Sequence, residues 1–244
     1  MKIENEFQKW AAGFSGCDGG DIGSPKSRSI WVCGIEWGGG HDPASLKENI
    51  LNQVDIPPSG YDDLSDNLTC KFNQQTMKLL TAMNGGLVDD YKGMVAQHRP
   101  FVKDSLGYFK MNLFPIAFKD TGHQRWQSDF IEITGFPNKA EYLAWCRQVR
   151  FAEMRNWVSM HKPKVIVCFG KTLINDFATA FANGREKFTK ENILNRELSW
   201  TRTVDDVLVV VCPFPVNRYG LNSHALLQTF GERIQKLMLG STNH

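Results

Sequence analysis

Three short stretches of this chain are apolar at every successive position: Ile30 to Cys33 in SIWVCGI, the run VIVCFG at 165–170, and VLVVVCPFP at 207–215. Neighbouring residues of a strand point to opposite faces of a sheet. A strand apolar at each position therefore has no face for water and needs cover on both sides. Strands of this kind alternating with helical patterns predict an α/β fold, a three-layer α/β/α sandwich around a central, mostly parallel sheet. YFKMNLFPIAF at 108–118 reads as a further strand running into Pro115. In such sheets the ligand crevice lies beyond the carboxyl ends of the strands. The loops GIEWGGG, NLFPIAF, GKT and CPFPVNRYGLNSH are thus expected to converge on one site.

The helices follow from 3.6-residue spacing and from their stop signals. EFQKWAAGF predicts a short helix, followed by a glycine-rich loop, CDGGDIGSPKS. FNQQTMKLLTAM places Phe72, Met77, Leu80 and Met83 on one side and stops at Asn84-Gly85-Gly86. KAEYLAWCRQVRFAEMRNWVSMH predicts the longest helix, with a stripe of Leu143, Cys146, Val149, Met154, Trp157 and Val158, ending at Pro163. KTLINDFATAFA and ALLQTFGERIQKLML predict two more. Residues 41–68, rich in Asp, Pro, Gly and Ser, read as a long loop or cap. No linker composition divides residues 1–244, so one domain is expected.

With 42% hydrophobic and 22% charged residues over 244 positions, the chain has the composition of an ordinary soluble protein with ample core. A net charge of +2 neither requires nor excludes nucleic acid, because a local basic stripe suffices to bind phosphates. No run of about 18 apolar residues is present, so no membrane span is expected. The start MKIENEFQKW lacks an apolar signal region and points to the cytoplasm. The six cysteines (Cys17, Cys33, Cys70, Cys146, Cys168, Cys212) form no CxxC pair, which argues against a disulfide framework or an iron–sulfur cluster. His41 and Asp42 lack the further ligands of a zinc site, and neither a metal nor another cofactor is expected.

Four segments in order, Gly34-Ile35-Glu36-Trp37, Met111-Asn112-Leu113, Pro163 to Gly170 with Lys171 and Thr172, and Cys212-Pro213-Phe214-Pro215, resemble the motifs of the uracil-DNA glycosylase superfamily. In that superfamily the first motif carries an acid (Asn in some branches) that positions a hydrolytic water. The second carries an Asn that reads the flipped base. The third is a strand, turn and helix, and the fourth is a His-Pro-Ser-Pro type loop that stabilises the leaving base and wedges into the duplex. The resemblance covers roughly residues 28–238, without 41–70 and 180–205. The sequence departs from the pattern at Cys212 in the histidine slot, Phe214 in the serine slot and Trp37 in the proline slot. Gly38 stands where strict uracil enzymes place a methyl-excluding tyrosine.

The resemblance implies catalytic roles for Glu36 and Asn112, each of which also has a plain reading: a solvated or capping acid, and an asparagine satisfied by backbone. Glu36 would orient or deprotonate a water and stabilise an oxocarbenium-like charge. The Asn112 amide offers both a donor and an acceptor to the edge of a base. Gly34, Ile35, Trp37 and Gly38 would let backbone approach a flat ligand, and Phe72 and Phe114 would stack on it. Cys212, Pro213, Phe214, Arg218, Tyr219, Leu221 and His224 belong to the loop that would grip DNA. In that loop Leu221 or Tyr219 would be the wedge and His224 a replacement for the missing histidine. Arg147, Arg150 and Arg155 share no clean face and read as solvated.

The function expected is hydrolysis of the N-glycosidic bond of a damaged or modified base in DNA, single- or double-stranded, with a free nucleobase as the small ligand. Two alternatives stand beside it. One is a non-catalytic member of the same fold that binds nucleic acid, nucleotide or protein; the other is a hydrolase of small nucleosides.

Overall fold

The computed structural model describes residues 4–52, 56–118, 126, 128–184 and 187–240. The apolar runs form the strands β2 (Ile30–Gly34), β4 (Val165–Phe169) and β7 (Leu208–Cys212), joined by β3 (Tyr108–Asn112), and every residue of these four is buried. They run parallel in the order β3-β2-β4-β7. Chain winding reverses between β2 and β4, so the crevice expected for an open sheet of this order opens above their carboxyl ends.

Strand alternation divides the apolar side chains between two cores. Trp31, Cys33, Phe109, Met111, Ile166, Cys168, Val209 and Val211 face α1 (Asn5–Ala12), α2 (Pro43–Leu51), α6 (Ser128–Thr134), α7 (Lys139–Gln148), α8 (Arg150–His161) and α9 (Ile174–Phe181). Ile30, Val32, Val165, Val167, Phe169, Leu208, Val210 and Cys212 face α4 (Lys71–Met83), α5 (Tyr91–His98) and α10 (His224–Leu239). This is the α/β architecture with a mostly parallel centre that the apolar runs predict, and it is compatible with three layers.

The sheet's edges depart from expectation. The described strands form one mixed sheet of seven, in the order β1-β3-β2-β4-β7-β6-β5. β1 (Gly19–Gly20), within the expected glycine loop, pairs antiparallel with β3. β5 (Thr189–Ile193) and β6 (Arg196–Arg202) form a hairpin that pairs antiparallel with β7. The β5 sequence TKENI is polar and largely exposed, so it shows no apolar run, and its turn carries Leu194 and Asn195 at φ of 48° and 62°. Leucine is an uncommon choice for the left-handed region such a hairpin turn requires.

Two helical expectations are corrected. Residues 41–68 hold α2 and α3 (Leu64–Asn67), with 53–55 outside the described residues. Asp42 caps α2 by accepting from the Ser45 amide, and Pro43 opens it. The long helix of residues 139–161 is two helices, broken at Val149. The break lets Arg150, expected in solvent, turn inward and lie fully buried.

The five N–H groups of Arg150 meet five carbonyls. Nε donates to Leu113 (2.8 Å), Nη1 to Ala11 (2.7 Å) and Gly13 (3.0 Å), and Nη2 to Ser15 (2.7 Å) and Asn112 (3.2 Å). The guanidinium thus ties the last turn of α1 and the segment after it to the end of β3. Arg150→Lys retains the charge but supplies three donors, leaving at least two buried carbonyls unpaired at about 1–3 kcal/mol each. The expected loss of stability is about 2–5 kcal/mol, read as a lower urea midpoint; an unchanged midpoint contradicts the tie.

Candidate functional site

A cavity of about 530 Å³ opens at the carboxyl ends of β2 and β3, within the ~300–1,000 Å³ typical of small-molecule sites. Its floor is Gly34, Ile35 and Asn112. Phe72, from the first turn of α4, and Phe214, from the loop after β7, form one wall, and Glu36, Trp37 and Gly38 another. Backbone bonding between the two chain segments continues past the strand ends, because Leu113 N–H donates to Gly34 O (3.1 Å) and Phe114 N–H to Ile35 O (2.9 Å). Ile35 packs on Gly170, where an added Cβ would come within 2.9 Å of its Cδ1.

Asn112 is buried and its amide nitrogen donates to Gly16 O at 3.0 Å. One of its two N–H groups is thereby used, and Oδ1 is the acceptor left at the cavity floor. It lies against Gly34, where a Cβ would sit 2.3 Å from it. The Phe72 ring meets Phe169 edge-on at 5.4 Å and Phe214 at 5.5 Å, fixing an aromatic face beside the amide. Such a face stacks a base with a worth of about 1–3 kcal/mol.

The Glu36 side chain is only 8% exposed, and Oε2 lies 3.9 Å from Nζ of Lys139, itself 2% exposed. Lys139 opens α7, capped by Asn138, and its ammonium stands 3.8 Å from the centre of the Phe118 ring. The acid is therefore not a solvated group. His41, near Glu36 in sequence, accepts from Ala117 N–H through Nδ1 (2.8 Å), and burial lowers its pKa. Among the described residues no group of three or more His, Cys, Asp or Glu could hold a metal ion.

The cavity thus gathers Gly34, Ile35, Glu36, Trp37, Gly38, Phe72, Asn112 and Phe214, and the remaining candidates lie elsewhere. Phe114 is buried against Phe151 at 5.7 Å in the opposite core. Cys212 is fully buried facing α10, and Pro213 is buried behind it, because the β7 run continues apolar to its end. Leu221, a candidate wedge, is fully buried in the same core. His224, at the first position of α10, is held by Asp89 (2.6 Å) and Lys78 (2.8 Å) and does not line the cavity. Arg218 and Tyr219 are exposed outside it, the guanidinium 5.8 Å from the ring centre.

Reading the sequence missed Asp18, Tyr61, Cys70, Lys110 and Val216, all of which line the cavity. For Lys110 there was a signal: it stands two residues before Asn112 and so shares its face of β3. Asp18 and Tyr61 carried none, since only the fold brings them together. Gly19 makes this approach possible, at φ 99° with no room for a Cβ, which would lie 2.2 Å from Pro58 O. No protein-family model matches the chain, and no curated protein matches it.

No helix among the described residues is long and apolar enough to cross a membrane. All six cysteines are free. Burial pushes the thiols of Cys17 and Cys146 up to about 12 and raises those of Cys33, Cys168 and Cys212. Cys70 alone is exposed. Thiol titration of the folded protein should therefore find one fast group, absent in Cys70→Ser; several fast groups would contradict the buried placement.

Gly34→Ala should push the Asn112 amide off its bond to Gly16 and cost about 1–3 kcal/mol of stability by overpacking. The check is thermal unfolding together with the side-chain amide resonance of Asn112. Neither changing would contradict the close approach.

Proposed function

We propose that the chain is a divergent member of the uracil-DNA glycosylase superfamily that hydrolyses the N-glycosidic bond of a damaged or modified base in DNA. The observation that carries this reading is the meeting of Glu36, on the loop after β2, and Asn112, at the end of β3, in one cavity with Phe72. An amide acceptor, a carboxylate and an aromatic face suit a flat ligand with a polar edge, to be cut from a sugar. An extruded base would lie on Phe72, with Asn112 Oδ1 accepting from its N–H. Extrusion costs a few kcal/mol, least for a base already mispaired or damaged.

Water, oriented by Glu36, then attacks the anomeric carbon. The C–O bond forms, the C–N bond breaks with its electron pair going to the base, and the water proton passes to the carboxylate. The carboxylate also opposes the positive charge that develops on the sugar. Arg218 and Tyr219, exposed on the loop after β7, would touch the phosphates and bases flanking the site.

One observation favours a second reading, a non-catalytic binder of nucleic acid or nucleotide. Cys212 is fully buried where the superfamily this chain resembles has a histidine, so the side chain in that slot does not meet a departing base. The two readings separate by alkaline strand scission of labelled oligonucleotides carrying uracil, hypoxanthine, xanthine or a thymine mismatch. The expected result is scission at one of these bases, reduced about 100-fold or more in Glu36→Gln. Retained binding without scission would establish the binder, and absence of both would remove nucleic acid as the substrate.

A further inference from the structure

A lysine that the scheme above leaves unused faces the cavity beside Asn112. Lys110 is buried on β3, with Nζ 3.2 Å from Asp18 Oδ1 and 3.0 Å from the Tyr61 hydroxyl. Tyr61 donates to Asp18 Oδ1 at 2.7 Å and accepts from Lys110 and from Asn73 Nδ2 at 3.3 Å. Its one donor and two lone pairs are all engaged. Asp18 Oδ2 accepts from the Trp37 indole at 3.3 Å. The cluster is therefore rigid, with each oxygen of Asp18 turned to a donor.

An ammonium has three N–H groups, and Asp18 and Tyr61 take two. Among the described residues the third has no hydrogen-bond partner, and Nζ stands 5.7 Å from the centre of the Phe72 ring and 5.5 Å from that of Tyr61. That donor is left for whatever occupies the cavity. Burial acts to drive the proton off Lys110, but Asp18 and Tyr61 outweigh it and leave the pKa raised. The amine is thus a fixed positive charge and not a nucleophile.

We propose that Lys110, clamped by Asp18 and Tyr61, is the residue that meets the negative charge a base acquires as its glycosidic bond breaks. This rests on the glycosylase reading and supplies what the end of β7 lacks. As the C–N bond cleaves, its electron pair moves into the base ring and onto a carbonyl oxygen, which accepts from the free N–H of Lys110. The base leaves as an anion while the water proton resides on Glu36. A positioned charge in a site shielded from water is worth more than the same charge in solution, and loss of one such donor typically costs about 100- to 1,000-fold in rate.

The test uses Lys110→Met and the double variant Asp18→Asn/Lys110→Met. The double variant leaves no buried charge unpaired and so remains usable if the single one fails to fold. Single-turnover scission is measured on oligonucleotides carrying uracil or 5-fluorouracil, whose anion is the more stable. A loss of about 100-fold on uracil, and clearly less on 5-fluorouracil, is expected. Equal loss on both bases, or none, overturns the proposal and leaves the glycosylase reading standing.

Binding of free 5-nitrouracil, an anion near neutral pH, is measured in parallel by tryptophan fluorescence. The wild-type chain is expected to prefer it to uracil by 10-fold or more, with the preference gone in the double variant. That result without any scission leaves Lys110 as an anion-binding group but overturns its role at bond breaking together with the glycosylase reading. No preference in the wild-type chain overturns the proposal.

Discussion

The cavity depends on a guanidinium buried without a carboxylate. Arg150 donates its N–H groups to carbonyls of the last turn of α1, of the segment after it and of the end of β3, and the tie fixes two things at once. It places Gly16, whose carbonyl aligns the Asn112 amide, and it holds the stretch that leads into Asp18 against β3. Removing a buried charge from water is costly unless dipoles replace the lost hydration, and here the carbonyls do so one for one. The break between α7 and α8 at Val149 is the backbone cost of bringing that side chain inside.

A second constraint follows from Gly34. Each parallel strand delivers its last residue to the same rim, but β2 and β3 can carry functional groups on adjoining loops only if one strand end gives way. Gly34 does so, leaving Oδ1 of Asn112 flush with the floor. Glu36, two residues further, turns toward Lys139 and Phe118 on the α7 side, whereas Lys110 and Asn112 lie on the other face of the sheet. The cavity thus receives a carboxylate from one layer and an amide and an ammonium from the other, with Phe72 and Phe214 across it. Such an arrangement places opposite charges on two sides of one bound molecule.

The sheet's centre was legible because continuous apolarity in β2, β4 and β7 has one physical solution, cover on both faces. The edges were not. β1 is two glycines and β5 is polar, so neither carries a burial pattern. The α7–α8 break left no Pro or Gly, and the apolar stripe passes through Val149 unaltered. The helix α2 was legible in principle, since Asp42, Pro43 and Ser45 form a helix-start signature that the polar composition of the segment obscured. Within the site, residues at strand ends could be named from the loops that carry them. Asp18 and Tyr61 could not, because they reach the cavity from chain segments linked to β3 only through tertiary contacts. Leu221 and Cys212 misled in the opposite way: a motif assigns them to a loop, while burial assigns them to the core.

On the proposed function, this cavity receives a base drawn out of a nucleic-acid strand. This is tested most directly by following the Asn112 side-chain amide and the Trp37 indole N–H by NMR. The titrant is a uracil-bearing oligonucleotide, added to Glu36→Gln protein so that the strand is not consumed. Saturable shifts of both resonances, lost when the uracil is replaced by an abasic analogue, are predicted. An oligonucleotide that binds while both resonances stay in place would place the base outside this cavity.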